Sequence, residues 1–403
     1  MMIKSHWDAV LPTLQVAGKK RLLQLVDTVE FDFSRKRSRT DLGPLNYPFR
    51  RGIRVHNSLI ANGDGIPLGL LSQSHHIRSD DDYGKAAERQ SAPFEEKESY
   101  RWHEHFMTGQ SLCEQDPGME LVYVAGREAD IMELYLARTC DRTHFLIRSK
   151  HNRKLADKSD SLYGFLSAQA AQGTYEVDVY DPATLKKRRA SMEVRFSKVA
   201  LKLYKTLPRK KTLPGIELYA IEAKEIDPPA DIEEPIRWVL LTTLPVTTIE
   251  DALLAIQYYT TRWVIERFHF LLKSGGAQVE ELQLQTAHRI KNALATYSVA
   301  AFKVFKFRYL AEKTPDLPIY EAGISQIEHK VLYEFANKKI SASIVYDPNK
   351  QPTMSDFCVI LGQIGGFLPS KRQPIPGLKI LNRSVQLLQN LVDAYLLFCQ
   401  RTE

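Results

Sequence analysis

Leu22 to Phe33 is rich enough in apolar, β-branched and aromatic residues for a buried strand, and it turns amphipathic after Asp27. Two further strand-like runs, Gly52 to Ala61 and Ile66 to Gln73, are split by the turn sequence Asn62-Gly63-Asp64-Gly65, so the pattern predicts an antiparallel meander. The chain is polar and irregular from about Asp80 to Pro93, and Glu95 to Gln110 has helical composition. A short strand, Met119 to Ala125, runs into Gly126, after which Arg127 to Arg138 reads as a helix. Between Thr143 and roughly Val246 short strands are broken by Pro and Gly, among them Thr174 to Tyr180, Met192 to Leu203 and Ile216 to Glu222. A strong helical pattern opens near Thr248 and runs to about Ser274, where Gly275-Gly276 stops it. From Ala287 the chain is mostly helical, and Val385 to Phe398 has the apolar spacing of a packed helical tail.

Three antiparallel strands followed by a strand-helix unit is the order of a ribonuclease-H-like core. The expected fold class is therefore α/β: a ribonuclease-H-like core interrupted by a β-rich insertion and followed by a helical C-terminal region. The corresponding division is residues 1–142 for the first part of the core, 143–246 for the insertion, 247–285 for completion of the core, and 286–403 for the helical region.

Composition narrows the function classes only slightly. Of the 403 residues 44% are apolar, enough for a sizeable core, and Lys plus Arg outnumber Asp plus Glu by 55 to 48, a mild bias toward polyanions. Cys113, Cys140, Cys358 and Cys399 are far apart, which argues against a disulfide framework or a thiolate zinc site and fits a reducing compartment. No apolar stretch approaches the ~20 residues that span a bilayer. The N-terminus Met-Met-Ile-Lys-Ser-His-Trp lacks a signal-peptide core, so a cytoplasmic location is the expectation. His75-His76 and His103-x-His105 have offsets that point helical rings apart and make poor chelates, and Asp80-Asp81-Asp82 reads as an exposed loop.

The strongest chemical signal is a polar stripe in the helix that opens near Thr248. Tyr259, Arg262, Glu266 and Lys273 are offset by three, seven and fourteen residues, which on one continuous helix brings them within about 60° of one another. A solvated face laced by i,i+3 and i,i+4 ion pairs would produce the same spacing.

These four residues resemble the Y-R-E-K signature of bacterial transposases of the insertion-sequence-four family, in which the Glu completes a D-D-E metal triad. Further similarities are Glu96-Lys97-Glu98-Ser99, Arg127-Glu128-Ala129-Asp130-Ile131, Arg148-Ser149-Lys150-His151, and Gly365-Gly366-Phe367 with Ser370-Lys371-Arg372. The resemblance runs from about Asp27 to about Arg372. It implies a DDE transposase that cleaves and joins transposon-end DNA with Mg²⁺ (or Mn²⁺) and works as a homodimer. It further implies Asp27 and Glu266 as catalytic metal ligands. The chemistry explains the residue types, because two divalent cations about 4 Å apart activate the attacking and leaving oxygens, and hard cations need carboxylate oxygens. By the same resemblance Tyr259, Arg262 and Lys273 contact phosphates, while Arg148 and Trp238 hold a DNA hairpin and stack a flipped base. A core strand residue is the plain alternative for Trp238, and the same caution applies to Trp263.

Two departures change the picture. The second carboxylate should immediately precede Arg127, and that residue is Gly126. Loss by mutation, replacement by Glu128 or Asp130, or a different alignment of the second carboxylate would each account for it. On a helix Glu128 and Asp130 would lie about 200° and 40° round from position 126. The second departure is that 26 residues precede Asp27, where the family usually places a helical DNA-binding domain, so truncation is expected. The basic runs Arg35-Lys36-Arg37, Arg148 to Lys154, Lys186 to Arg189 and Arg209 to Lys211 are candidates for a DNA path. The expected function is therefore a transposase impaired in this copy. The alternative is an inactive DNA-binding or dimerising inhibitor, and a non-transposing nuclease with the same core is the third reading.

Overall fold

The computed structural model describes residues 2–15, 20–34, 41–47, 49–82, 84, 92–156, 160–180, 187–203, 215–229, 232 and 234–399. The runs Arg35-Lys36-Arg37 and Arg209 to Lys211 lie outside them. The chain divides into two compact units. One, the sheet unit, holds Leu14–Asp27 and Ala86–Trp263; the other, the helical unit, holds Met1–Thr13, Thr28–Lys85 and Val264–Glu403. Strand β1 (Lys20–Asp32) contributes its first part to the sheet unit and the rest to the helical unit.

In the sheet unit β1 is followed by β5 (Met119–Ala125), β6 (Thr143–Arg148), β7 (Gly173–Tyr180), β8 (Lys187–Leu201), β9 (Ile216–Ile226) and β10 (Arg237–Thr242). Their order is β1-β5-β6-β10-β9-β8-β7, with β1, β5 and β6 parallel and the rest antiparallel. The strands expected of the β-rich stretch thus extend the sheet that carries β6, through β10. Helix α2 (Tyr100–Gln115) packs on β5 and β6. Phe106 stacks on Phe145 at 4.4 Å, and the Tyr123 hydroxyl donates to the Trp102 carbonyl at 2.9 Å. Leu22, Leu23, Leu25 and Val26 are all buried, as the run before Asp27 predicts for a strand covered on both faces.

The helix expected over Arg127 to Arg138 is instead a 3₁₀ turn, Arg127–Ala129, and a short helix α3, Met132–Leu136. Asp130 is the cause. Its buried carboxylate accepts from the backbone N–H groups of Lys150 (2.7 Å) and His151 (3.0 Å), from the Tyr135 hydroxyl (3.0 Å) and from Arg153 Nη2 (2.7 Å). Arg153, also buried, donates back to the Asp130 carbonyl at 2.7 Å. A desolvated ion pair holds only with its remaining hydrogen bonds filled, and filling them takes the backbone at Asp130 out of the helix. Next to this clamp lies α4 (Leu162–Ser167).

The single helix expected from Thr248 to Ser274 is likewise two. Helix α5 (Ile249–Thr261) opens on a capping box between Thr248 and Asp251, and α6 (Trp263–Lys273) follows after a break at Arg262. Thr260 and Thr261 both donate their hydroxyls to the Gln257 carbonyl, at 2.7 and 3.0 Å. Such back-bonding competes with the helix ladder and bends it. Gly276, with φ of 141°, sits in the stop that Gly275-Gly276 predicts.

In the helical unit β3 (Arg51–Ala61) and β4 (Pro67–His76) form the expected antiparallel hairpin, and β2 (Gly43–Pro44) pairs with β3. Asn62 Oδ1 accepts from the backbone of Asp64 and Ile66 and closes the turn. Helix α1 (Met2–Gln15), which the sequence analysis does not anticipate, buries Trp7 and sets the His6 ring 5.3 Å from Phe302. The C-terminal helices are α7 (Ala287–Lys313), α8 (Gln326–Lys339), α9 (Met354–Ile364) and α10 (Leu378–Cys399). Phe268 of α6 packs 5.6 Å from Phe305 of α7. A buried polar network joins the layers: Asn57 bonds His269 Nε2 at 3.0 Å, and Gln73 donates to Asn57 Oδ1 and Ser298 Oγ, both at 2.8 Å. No helix among the described residues is long and apolar enough to cross a membrane.

Removing Asp130 leaves Arg153 buried without its countercharge, so Asp130→Ala should cost ~3–5 kcal/mol in urea unfolding. Adding Arg153→Met should recover part of that loss. A single variant within about 1 kcal/mol of the parent would mean that the pair does not order this loop.

Candidate nucleic-acid interface at three strand ends

The parallel register brings together residues distant in sequence. Val26 pairs with Ala125 and Ala125 with Ile147, so Asp27, Gly126 and Arg148 come next, at the carboxyl ends of β5 and β6 and where the pairing of β1 with β5 stops within β1. That end of a parallel sheet is where side chains leave the strand ladder free to meet a ligand. Antiparallel β10 then adds Trp238, two residues from Leu240, the partner of Arg148.

Helix α5 and the break after it supply the rest of the sheet unit's site. Arg262 Nη1 lies 3.3 Å from Asp27 Oδ2, and its guanidinium carbon is 5.8 Å from the Tyr259 ring centre. Tyr259 is buried, meets Trp238 edge to face at 5.6 Å, and bonds the Arg148 side chain. Arg148 also donates to the Arg237 carbonyl at 3.1 Å. Burial holds the Arg148 pKa below its ordinary value, and repulsion from Arg127 and Arg262 acts in the same direction against the opposing pull of Tyr259. Arg127 and Arg262 thus stand near enough to Arg148 to repel it, while Arg262 is bonded to Asp27, a concentration of positive charge that attracts a phosphate.

Gly126 is not demanded by the fold. Its backbone is extended, with φ of −79° and ψ of −169°, and an added Cβ would meet nothing nearer than Arg262 at 4.0 Å. Gly109 in the same unit is the opposite case, since a Cβ there would lie 1.9 Å from Gln24 Oε1. The two neighbouring acids are bonded elsewhere. Glu128 is mostly exposed and pairs with Arg101 at 2.8 Å, and Asp130 is buried in the Arg153 clamp.

Glu266 and Lys273 belong to the helical unit, on α6. Lys273 donates to the Glu30 carbonyl at 2.9 Å and pairs with Glu280 at 3.2 Å, so it ties α6 to β1 and to the segment after Gly276. Among the described residues no group of three or more His, Cys, Asp and Glu side chains is arranged to hold a metal ion. Asp27 keeps one carboxylate oxygen on Arg262, and the neighbouring strand offers a glycine beside it. Sequence reasoning missed the Asp130 clamp, which orders the loop bearing Lys150 and His151. Its only sequence signal is the acid inside a helical pattern.

No known family model matches the chain. Among solved structures it is similar to the piggyBac transposase in a synaptic complex with hairpin DNA, at 9% identity and a TM-score of 0.34, over 96% of this chain and 61% of that one. The chain thus spans less than two thirds of that transposase chain. It is also similar to the NurA nuclease from Sulfolobus solfataricus, at 11% identity and a TM-score of 0.25, over 59% of this chain and 72% of that one. Likenesses this weak carry no argument about the chemistry of this chain.

Because position 126 is open and extended, Gly126→Ala should raise stability by about 0.4–1 kcal/mol through the unfolded state. Gly126→Asp should fold with a melting temperature close to the parent's. Clear destabilisation of both variants would show that the fold needs glycine there.

Proposed function

We propose that the chain is by descent a DNA transposase of the DDE class, with a ribonuclease-H-like core, that binds transposon-end DNA but cannot cut it unaided. The observation that carries this reading is the in-step placement of Asp27 and Gly126 on neighbouring parallel strands, with room for a carboxylate at 126 beside the guanidinium that bonds Asp27. In this reading position 126 is the lost second carboxylate, and Glu266 is the third. Residues 1–142 and 247–285 make up the core, 143–246 the insertion and 286–403 the helical region.

The chain's own residues then have binding roles. Arg127, Arg148 and Arg262 neutralise backbone phosphates, Tyr259 orients Arg148, and Trp238 offers an aromatic surface to an unstacked base. Lys273 adds a phosphate contact. Two-cation cleavage needs carboxylates that bridge both ions, and with glycine at 126 no cleavage step follows from these residues. A chain that binds ends, forms dimers and does not cut acts as an inhibitor of intact relatives.

A paired assay with Mg²⁺ or Mn²⁺ on matched end DNA tests this. The parent should leave the DNA intact, Gly126→Asp should nick it, and excess parent should lower the activity of an intact relative. Cleavage by the parent would overturn the role given to position 126. In the parent, Arg148→Ala should weaken DNA binding and reduce the salt slope by about one.

A further inference from the structure

In the helical unit the stop after α6 and the start of α10 enclose a groove of about 250 Å³. Gly276, Gln278, Lys379, Asn382, Arg383 and Gln386 line it, and none of its lining side chains is acidic. Gly276 permits the close approach. A Cβ there would lie 2.8 Å from the Asn382 Cβ, and its φ of 141° suits glycine alone. Gln278 follows in the left-handed conformation, with φ of 46°. Asn382 is only 7% exposed, yet its side-chain amide lines the groove with no hydrogen-bond partner among the described residues. Arg383 is anchored, because its guanidinium donates to the Gly365 carbonyl. Lys379 is exposed and forms no ion pair among the described residues.

Buried polar groups of folded proteins are nearly always bonded, so the Asn382 amide calls for a group in the groove. Its surroundings decide which. Helix α10 begins at Leu378, and its first-turn residues Lys379 and Ile380 line the groove, so the positive end of the helix adds to the charge of Lys379 and Arg383. Two cations, three side-chain amides and a helix start, with no carboxylate among them, suit an anion with several oxygens and repel a metal ion. We infer that this groove binds a phosphate group, supplied by a DNA backbone, at a site separate from Arg148, Tyr259 and Arg262 of the sheet unit. The inference rests on the reading of the chain as a DNA-binding protein and adds a contact that carries no sequence preference.

The test follows binding of the full chain to a blunt duplex by fluorescence anisotropy across a series of KCl concentrations. Lys379→Gln should reduce the slope of log affinity against log salt by about one, the value for one lost phosphate contact. Asn382→Asp, which sets a carboxylate among the same donors, should reduce it at least as much. Lys339→Gln, on an exposed lysine of α8 outside the groove, should leave it unchanged. All three should melt within a few degrees of the parent. A second arm compares melting in potassium phosphate and in KCl at equal ionic strength. A rise in phosphate that Asn382→Asp abolishes means that the groove also takes the free ion, and no rise beside the lowered slope means that it takes a backbone phosphate alone. An unchanged slope in Lys379→Gln and Asn382→Asp, or an equal drop in Lys339→Gln, overturns the groove site while the DNA-binding reading stands. If the parent binds no duplex but shows the phosphate rise, the phosphate site stands and the DNA-binding reading falls; with neither, both fall.

Discussion

The parallel register of β1, β5 and β6 is the constraint on which the candidate site depends. Once Val26 faces Ala125 and Ala125 faces Ile147, positions 27, 126 and 148 have no freedom to be anywhere but side by side. Leu22, Leu23, Leu25 and Val26 are close-packed on both faces of the strand, so a slip by one residue would set side chains of the wrong size against their neighbours, and this packing holds the register that places Asp27. The site is thus positioned by the hydrophobic core rather than by interactions among its own polar groups.

Those polar groups would not assemble alone. Arg127 and Arg262 both repel Arg148, and Arg148 loses hydration as well. Arg148 is held by Tyr259, and Arg262 by the carboxylate of Asp27. Such a site holds positive charge in wait for an anion. Gly126, extended and with room for a Cβ, contrasts with Gly109, which is sterically required, so packing does not fix the residue at position 126.

Buried polar ties also decide where helices break. Asp130 gives up a helical backbone to complete its bonds to Lys150, His151, Tyr135 and Arg153, and two threonine hydroxyls at Thr260 and Thr261 interrupt the run that reads as one helix. In the helical unit the Asn57, Gln73, His269 and Ser298 network fixes the facing positions of β3, β4, α6 and α7. Each of these depends on partners far along the chain, which hydrophobic periodicity does not reveal.

The sequence by itself determined the strands around Asp27, the β3–β4 hairpin, the strand ending at Ala125 and the helical character of the C-terminal region. In each, the apolar period of two or 3.6 residues agrees with local turn chemistry, so local and tertiary preferences coincide. It also singled out Asp27, Arg148, Trp238, Tyr259 and Arg262, though on motif spacing and resemblance. Only the tertiary structure decided that these five meet, because strand register is set by long-range packing. It alone also showed that Gly126 stands in open space, that Glu128 and Asp130 are engaged elsewhere, and that Asn382 is buried in the wall of a groove, since steric room and exposure depend on neighbours remote in the chain.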